Sequence, residues 1–242
     1  SFINSSVEVM FIYSDCEGNW SYGVAIDDII LGCANQAGED NRNIARMALL
    51  LAELPITIPG ETINRLCSSG MSAIIHAHRA IQTGDGDIFL SGGVENMTRG
   101  PWVISKSSKP FGRDSKMYDT SFGWRFINPK LDEVYGTESM GQTAENLAEK
   151  YNITRLDQDK FAYYSQKKAS NAQNSGRFKQ EIMAIEISQK KSTPIYFKTD
   201  EFIKPNTSLE ILKSLSTVFK KNGTVTAGNS SGINDGAAVM II

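Results

Sequence analysis

Short apolar runs alternate along the chain with segments whose apolar residues recur every three or four positions, which predicts strands and helices in turn. Asp28-Ile29-Ile30-Leu31 predicts a short strand. Asn43 to Leu54 predicts a helix with Ile44, Met47, Ala48 and Leu51 on one face, stopped by Pro55. Glu61 to Leu66 predicts an extended segment. The helix beyond it runs to about Thr83 with Met71, Ile74, Ile75 and Ile81 available for burial, and Gly84-Asp85-Gly86-Asp87 ends it. Ile88-Phe89-Leu90 is a near-continuous apolar run, the pattern of a strand buried on both faces, and it closes at Gly92-Gly93.

From about Arg99 to Val225 the pattern loosens into longer polar connections and several aromatics around two helices, Gly141 to Lys150 and Asp157 to Ser175. This stretch reads as an excursion from the core. Thr224-Val225-Thr226 predicts a return to strand, Ala227 to Gly236 a glycine and asparagine turn, and Ala237 to Ile242 another buried strand. The fold class is α/β, with residues 1–98 and 226–242 in the core and 99–225 inserted. Before Asp27 the pattern offers only a possible strand at Val7 to Tyr13.

With 242 residues, 40% of them hydrophobic, the chain can bury a sizeable core. Its net charge is −2 and its cations are interleaved with acids, so nucleic acid and anionic membrane surfaces are not expected partners. The Val7 to Tyr13 run is short and follows no basic segment, which indicates neither a signal peptide nor a spanning helix. A cytoplasmic location is the resulting expectation. Cys16, Cys33 and Cys67 are an odd set without C-x-x-C spacing, which argues against a disulfide framework and a structural zinc site. His76 and His78 stand two apart on an expected helix and project about 200° from each other, so they cannot ligate jointly. No metal is expected.

Cys67 is the candidate nucleophile. In Asn64-Arg65-Leu66-Cys67-Ser68-Ser69-Gly70 it stands where an extended segment turns into a helix, whose first N–H groups and partial positive charge favour a thiolate. Small neighbours leave the sulfur uncrowded. A buried structural cysteine is the plain alternative. Gly92-Gly93 and the 84–87 turn lack a G-K-[ST] ending, so no nucleotide P-loop is indicated.

Three runs, Ile63 to Met71, Ser91-Gly92-Gly93-Val94-Glu95-Asn96-Met97-Thr98 and Gly223 to Ala238, resemble the thiolase family in order and spacing. The resemblance extends from about Asp27 to Ile242. Gly32 to Asn43 and Gly123-Trp124-Arg125-Phe126-Ile127-Asn128-Pro129 look most like the 3-oxoadipyl-CoA thiolases. It implies the first half of the thiolase fold, a mixed sheet flanked by helices, with an inserted loop domain. The family's second half, with its Asn-Glu-Ala-Phe and Gly-His-Pro motifs and second cysteine, is absent from this sequence.

The activity implied is CoA-dependent acyl transfer through an acyl-cysteine on Cys67, whose backbone N–H would be one oxyanion-hole donor. Coenzyme A and a 3-oxoacyl-CoA are the implied substrates. Ser231 matches the serine that meets the pantetheine amide, Leu131 and Met140 match positions lining the acyl and pantetheine pocket, and Lys204 and Phe219 fall near the 3′-phospho-ADP end. The ordinary readings are a turn serine, core packing and a solvated surface lysine. Ser139 replaces the histidine of short-chain biosynthetic thiolases, and Arg125 either pairs with a substrate carboxylate or is structural. The resemblance also implies a homodimer or homotetramer. Lacking the histidine motif, the chain alone is expected to fail at complete thiolysis. A decarboxylating ketosynthase, and a non-catalytic CoA-binding or assembly subunit, remain the alternatives.

Overall fold

Successive side chains of β1 (Asp28–Gly32) leave opposite faces of the sheet, so one strand serves two cores. Ile29 and Leu31 pack with Ile44, Ala45, Ala48 and Leu49 of α1 (Ile44–Leu51). β2 (Gly60–Ile63) follows, and α2 (Ser69–Thr83) places Ala73 and Ala77 against Ile30 on the other face. Burying a side chain such as Leu49, which is fully buried, contributes about 1.5–3 kcal/mol. β3 (Phe89–Glu95) completes the alternation, and β4 (Trp102–Ile104) pairs antiparallel with β5 (Met117–Asp119).

The computed structural model describes residues 25–35 and 38–242, so Cys16 and the expected strand at Val7 to Tyr13 lie outside the described residues. Those described form two compact units. The first runs to Phe126 and resumes at Ile233–Ile242, and the second is Ile127–Gly232. The second unit holds α3 (Pro129–Tyr135), α4 (Met140–Lys150), α5 (Arg155–Asn174), the antiparallel pair β6 (Ile185–Ile187) and β7 (Ile195–Phe197), and α6 (Leu209–Ser214). Side-chain oxygens of Ser139, Thr154 and Ser208 accept first-turn N–H groups of α4, α5 and α6, which fixes where these helices begin. β8 (Gly236–Ile241) then returns to the first unit, whose sheet has the order β2-β1-β3-β8, parallel except for the β3–β8 pair.

Several sequence expectations are corrected by packing. In α1 the buried stripe is Ile44, Ala45, Ala48 and Leu49, and Leu51 is 72% exposed, because the Asn43 cap starts the helix at Ile44 and turns Leu51 outward. The extended segment stops at Ile63, and Leu66 lies in the left-handed region at φ 49°. The face that α2 buries is Ser69, Ser72, Ala73 and Ala77, with Met71 exposed. Its small residues let the helix lie almost on the strand: a Cβ on Gly32 would fall 2.2 Å from the Ser69 carbonyl carbon.

Gly92 and Gly93 do not close their strand but sit inside β3, where a Cβ on Gly92 would fall 2.0 Å from the Ala238 oxygen of β8. β8 is an edge strand with exposed side chains, not a buried one. Thr224-Val225-Thr226 is no strand; it makes one isolated bridge, Thr217 to Thr226, and the N–H groups of Thr224 and Val225 go to a side chain. Among the described residues no helix is long and apolar enough to cross a membrane.

Candidate active site

Cys67 is exposed in the turn between β2 and α2, immediately before Ser68, the N-cap residue of α2. The turn is tied tightly. Ser69 Oγ accepts the Arg65 N–H at 2.9 Å and donates to the Leu66 oxygen at 2.6 Å, and the Leu66 oxygen also accepts the Ser69 N–H at 3.0 Å. Asn64 Oδ1 accepts the Leu66 N–H at 2.9 Å, while Asn64 Nδ2 donates to the Ala34 oxygen at 3.0 Å. The sulfur therefore stands at the start of a 15-residue helix, open to solvent, on a backbone held in an uncommon conformation.

Cys33 contrasts with it. It is buried beyond the end of β1, with Sγ 3.4 Å from Asp40 Oδ2 and 3.7 Å from Glu95 Oε1. Burial, then the negative charges of Glu95 and Asp40, push this thiol far above its ordinary value, so it stays protonated. Iodoacetamide at neutral pH is therefore expected to label Cys67 and leave Cys33 unlabelled in the folded chain, as read by peptide mapping; comparable labelling of Cys33 would sink the assignment of Cys67 as the reactive thiol.

Cys33, Asp40 and Glu95 present ligand atoms within 4.8 Å of one another, and they are the one such group among the described residues that could hold a metal ion. Their polar atoms are already engaged. Glu95 accepts the N–H groups of Ala34 and Asn35, each at 2.8 Å, and Asp40 Oδ1 accepts that of Gly38 at 2.9 Å. This carboxylate-anchored loop is the one to which Asn64 donates. Arg125, weighed from sequence as a carboxylate partner, directs Nη1 to the Thr120 oxygen at 3.4 Å.

The five residues expected to contact CoA all belong to the second unit. Met140 opens α4 and is exposed, and the Phe219 ring lies against the adjacent Gly141, where a Cβ would fall 2.3 Å from the ring. Lys204 donates its N–H to Gln166 Oε1 at 2.8 Å and holds Nζ 5.8 Å from the centre of the Phe202 ring. That ring packs on Gly232, the neighbour of exposed Ser231. Phe219 thus lies one residue along the chain from Met140 at its contact with Gly141, and Phe202 lies between Lys204 and the residue after Ser231. Leu131 lies apart from both groups in sequence, partly exposed on α3. Ser139, singled out from sequence as a histidine replacement, caps α4 through its Oγ, which accepts the Gln142 N–H at 3.3 Å.

Sequence reasoning missed the residues that shape the turn carrying Ser231. Buried Glu145 accepts the N–H groups of Thr224 and Val225 at 2.8 Å and the Thr224 hydroxyl at 2.9 Å. Burial alone would push the Glu145 carboxyl up, but the Val225 and Thr224 N–H groups, the Thr224 hydroxyl and nearby Lys220 together hold it below the ordinary glutamate value. Asn229 Nδ2 donates to buried Asp159 Oδ1 and to the Thr224 oxygen, both at 3.0 Å, and Asn229 Oδ1 accepts the Thr226 N–H at 2.8 Å.

Residues 22–242 match the family described as thiolase, N-terminal domain. Over 217 residues the chain is 53% identical to a 3-oxoadipyl-CoA/3-oxo-5,6-dehydrosuberyl-CoA thiolase of Escherichia coli strain K12, covering 90% of this chain and 54% of the relative. It is 53% identical over 224 residues to a beta-ketoadipyl-CoA thiolase of Acinetobacter baylyi, covering 93% and 55%. The crystal structure of human mitochondrial 3-ketoacyl-CoA thiolase in complex with CoA superimposes with a TM-score of 0.77 at 36% identity, covering 89% of this chain and 52% of that one. The chain spans about half the length of the curated relatives it matches.

Proposed function

The chain belongs to the thiolase family, and from that membership we propose that it carries the nucleophile and the CoA-binding insertion of a thiolase acting on a 3-oxoacyl-CoA. Cys67 carries the reading, as an exposed thiol at the start of α2 within the run Ile63 to Met71 that resembles the family. Its sulfur attacks the 3-keto carbon, the bond from that carbon to the α-carbon breaks, and the α-carbon gains a proton to leave as acetyl-CoA. The sulfur of free CoA then takes the acyl group from Cys67, and its proton returns to the cysteine. The chemistry is covalent catalysis and requires no metal.

The names of the relatives support 3-oxoadipyl-CoA as the substrate. In this reading residues 1–98 and 226–242 form the catalytic core, and the 99–225 insertion, largely the compact unit Ile127–Gly232, binds CoA. Ser231 would meet the pantetheine, Leu131 and Met140 the acyl and pantetheine groups, and Lys204 and Phe219 the 3′-phospho-ADP end. Homodimers or homotetramers are proposed from the family resemblance.

Incubation with acetyl-CoA followed by peptide mapping tests the proposal. An acetyl group on Cys67 is the expected result. Acetylation of Cys33 instead, or no acetyl-cysteine while Cys67 remains open to alkylation, would overturn the assignment. CoA bound with no acyl-cysteine would favour the binding-subunit reading.

A further inference from the structure

We infer that Asn64 is a positioning residue for Cys67: its side-chain amide braces the left-handed Leu66 turn against the carboxylate-anchored loop that follows β1. The inference rests on Cys67 being the nucleophile.

The residue before the nucleophile is the strained one. Leu66 has φ 49°, where the Cβ of an L-residue crowds the following carbonyl, and its side chain is 70% exposed, so its own packing contributes little to holding that conformation. The restraint comes from both sides. On the helix side, Ser69 clasps Arg65 and Leu66 through the bonds already described. On the loop side Cys33 donates its N–H to the Ile63 oxygen at 3.0 Å, but among the described residues the bond that reaches Leu66 itself is that of Asn64, whose Oδ1 takes the Leu66 N–H while its Nδ2 reaches the Ala34 oxygen.

Ala34 is itself fixed. Its N–H, with that of Asn35, lies on Glu95 at the end of β3, and Asn35 Nδ2 donates to Thr120 Oγ1 at 3.2 Å. A continuous path of hydrogen bonds thus runs from β3 through Glu95, Ala34 and Asn64 to the N–H of Leu66, the residue before Cys67. Asparagine suits the position because one planar amide offers an acceptor and a donor at once, and neither aspartate nor alanine offers both. Without the brace Leu66 can relax out of the left-handed region, and Cys67 then loses its fixed place at the helix start.

Alkylation by iodoacetamide at neutral pH measures this in the 242-residue chain, with buried Cys33 as an internal report on unfolding. Asn64→Ala is expected to slow labelling of Cys67 by about two- to fivefold, the size of a helix-terminus effect on an exposed charge, with Cys33 still protected. Adding Leu66→Gly should restore most of the rate, because glycine holds the left-handed conformation without a Cβ penalty. An unchanged rate in Asn64→Ala, or no recovery in the double variant, would overturn the inference. So would Cys33 becoming labelled in Asn64→Ala, since Asn64 would then be holding the fold and not the nucleophile. A wild-type Cys67 that reacts no faster than Cys33 is a separate result, and it removes the nucleophile reading itself.

Discussion

Glu145→Ala is expected to lower the stability of the Ile127–Gly232 unit by about 3–5 kcal/mol, because the buried Val225 N–H and the half-buried N–H and hydroxyl of Thr224 lose a charged acceptor at once. Urea unfolding followed by a signal from this unit reads the loss. Glu145→Gln should recover only part of it, since the amide keeps one acceptor oxygen and turns its NH₂ toward donors. The folded carboxyl titrates below the ordinary 4.5, so its contribution is fully present above that value and disappears as pH falls through the lowered folded value. The wild-type unit should therefore weaken on acidification below about 4.5, and this component should be missing from Glu145→Ala. A variant within about 1 kcal/mol of wild type would mean that Thr224 and Val225 have found other acceptors.

Gly32→Ala is expected to cost about 3 kcal/mol, at the upper end for overpacking, because the three atoms nearest its methyl group are all backbone. The carbonyl carbon of Ser69 would lie 2.2 Å away, the Gly70 nitrogen 2.3 Å and the Ser69 oxygen 2.6 Å, so the first turn of α2 must lift from the sheet. Cys67 labelling should change with it. Gly70→Ala provides the contrast: its Cβ meets nothing nearer than the Gly92 oxygen at 3.8 Å, and alanine in a helix gains up to about 1 kcal/mol over glycine. Thermal unfolding of the two variants should shift in opposite directions. If Gly32→Ala melts with the wild type, the helix does not sit as closely on β1 as described.

The starts of α1 and α4 were legible to within a residue, and so was the junction at Cys67, but α5 begins at Arg155 and not Asp157, and the short helices α3 and α6 lie in stretches that read as polar connections. The buried face of α2 was not legible either. Hydrophobic pattern favours Met71 and Ile74, whereas close approach to Gly32 selects Ser72, Ala73 and Ala77, a choice set by distance between elements. Gly92-Gly93 looked like a strand end because glycine usually interrupts strands, but here it admits the backbone of β8. Thr224 to Thr226 has strand composition, yet the N–H groups of Thr224 and Val225 turn to Glu145, a partner far away in sequence whose charge marks it as a surface residue in any local reading. Asn64 escaped for a similar reason, since Oδ1 and Nδ2 serve two loops and only one of them is adjacent in the chain.

The return of β8 to β3 sets an order of assembly. Thr98 and Asp235, joined by a backbone N–H bond of 2.9 Å and a hydroxyl bond of 2.5 Å, stand 137 positions apart, so the first sheet closes only after the whole second unit has been synthesised. Pairings this distant form late in folding, because a long loop must be ordered before its contacts repay the lost entropy. During that interval β3 has β1 on one side and an open ladder on the other. Its glycine pair, which admits close approach by backbone, leaves that edge open to a strand from another chain, and an unpaired edge of this kind exposes the nascent protein to misassembly.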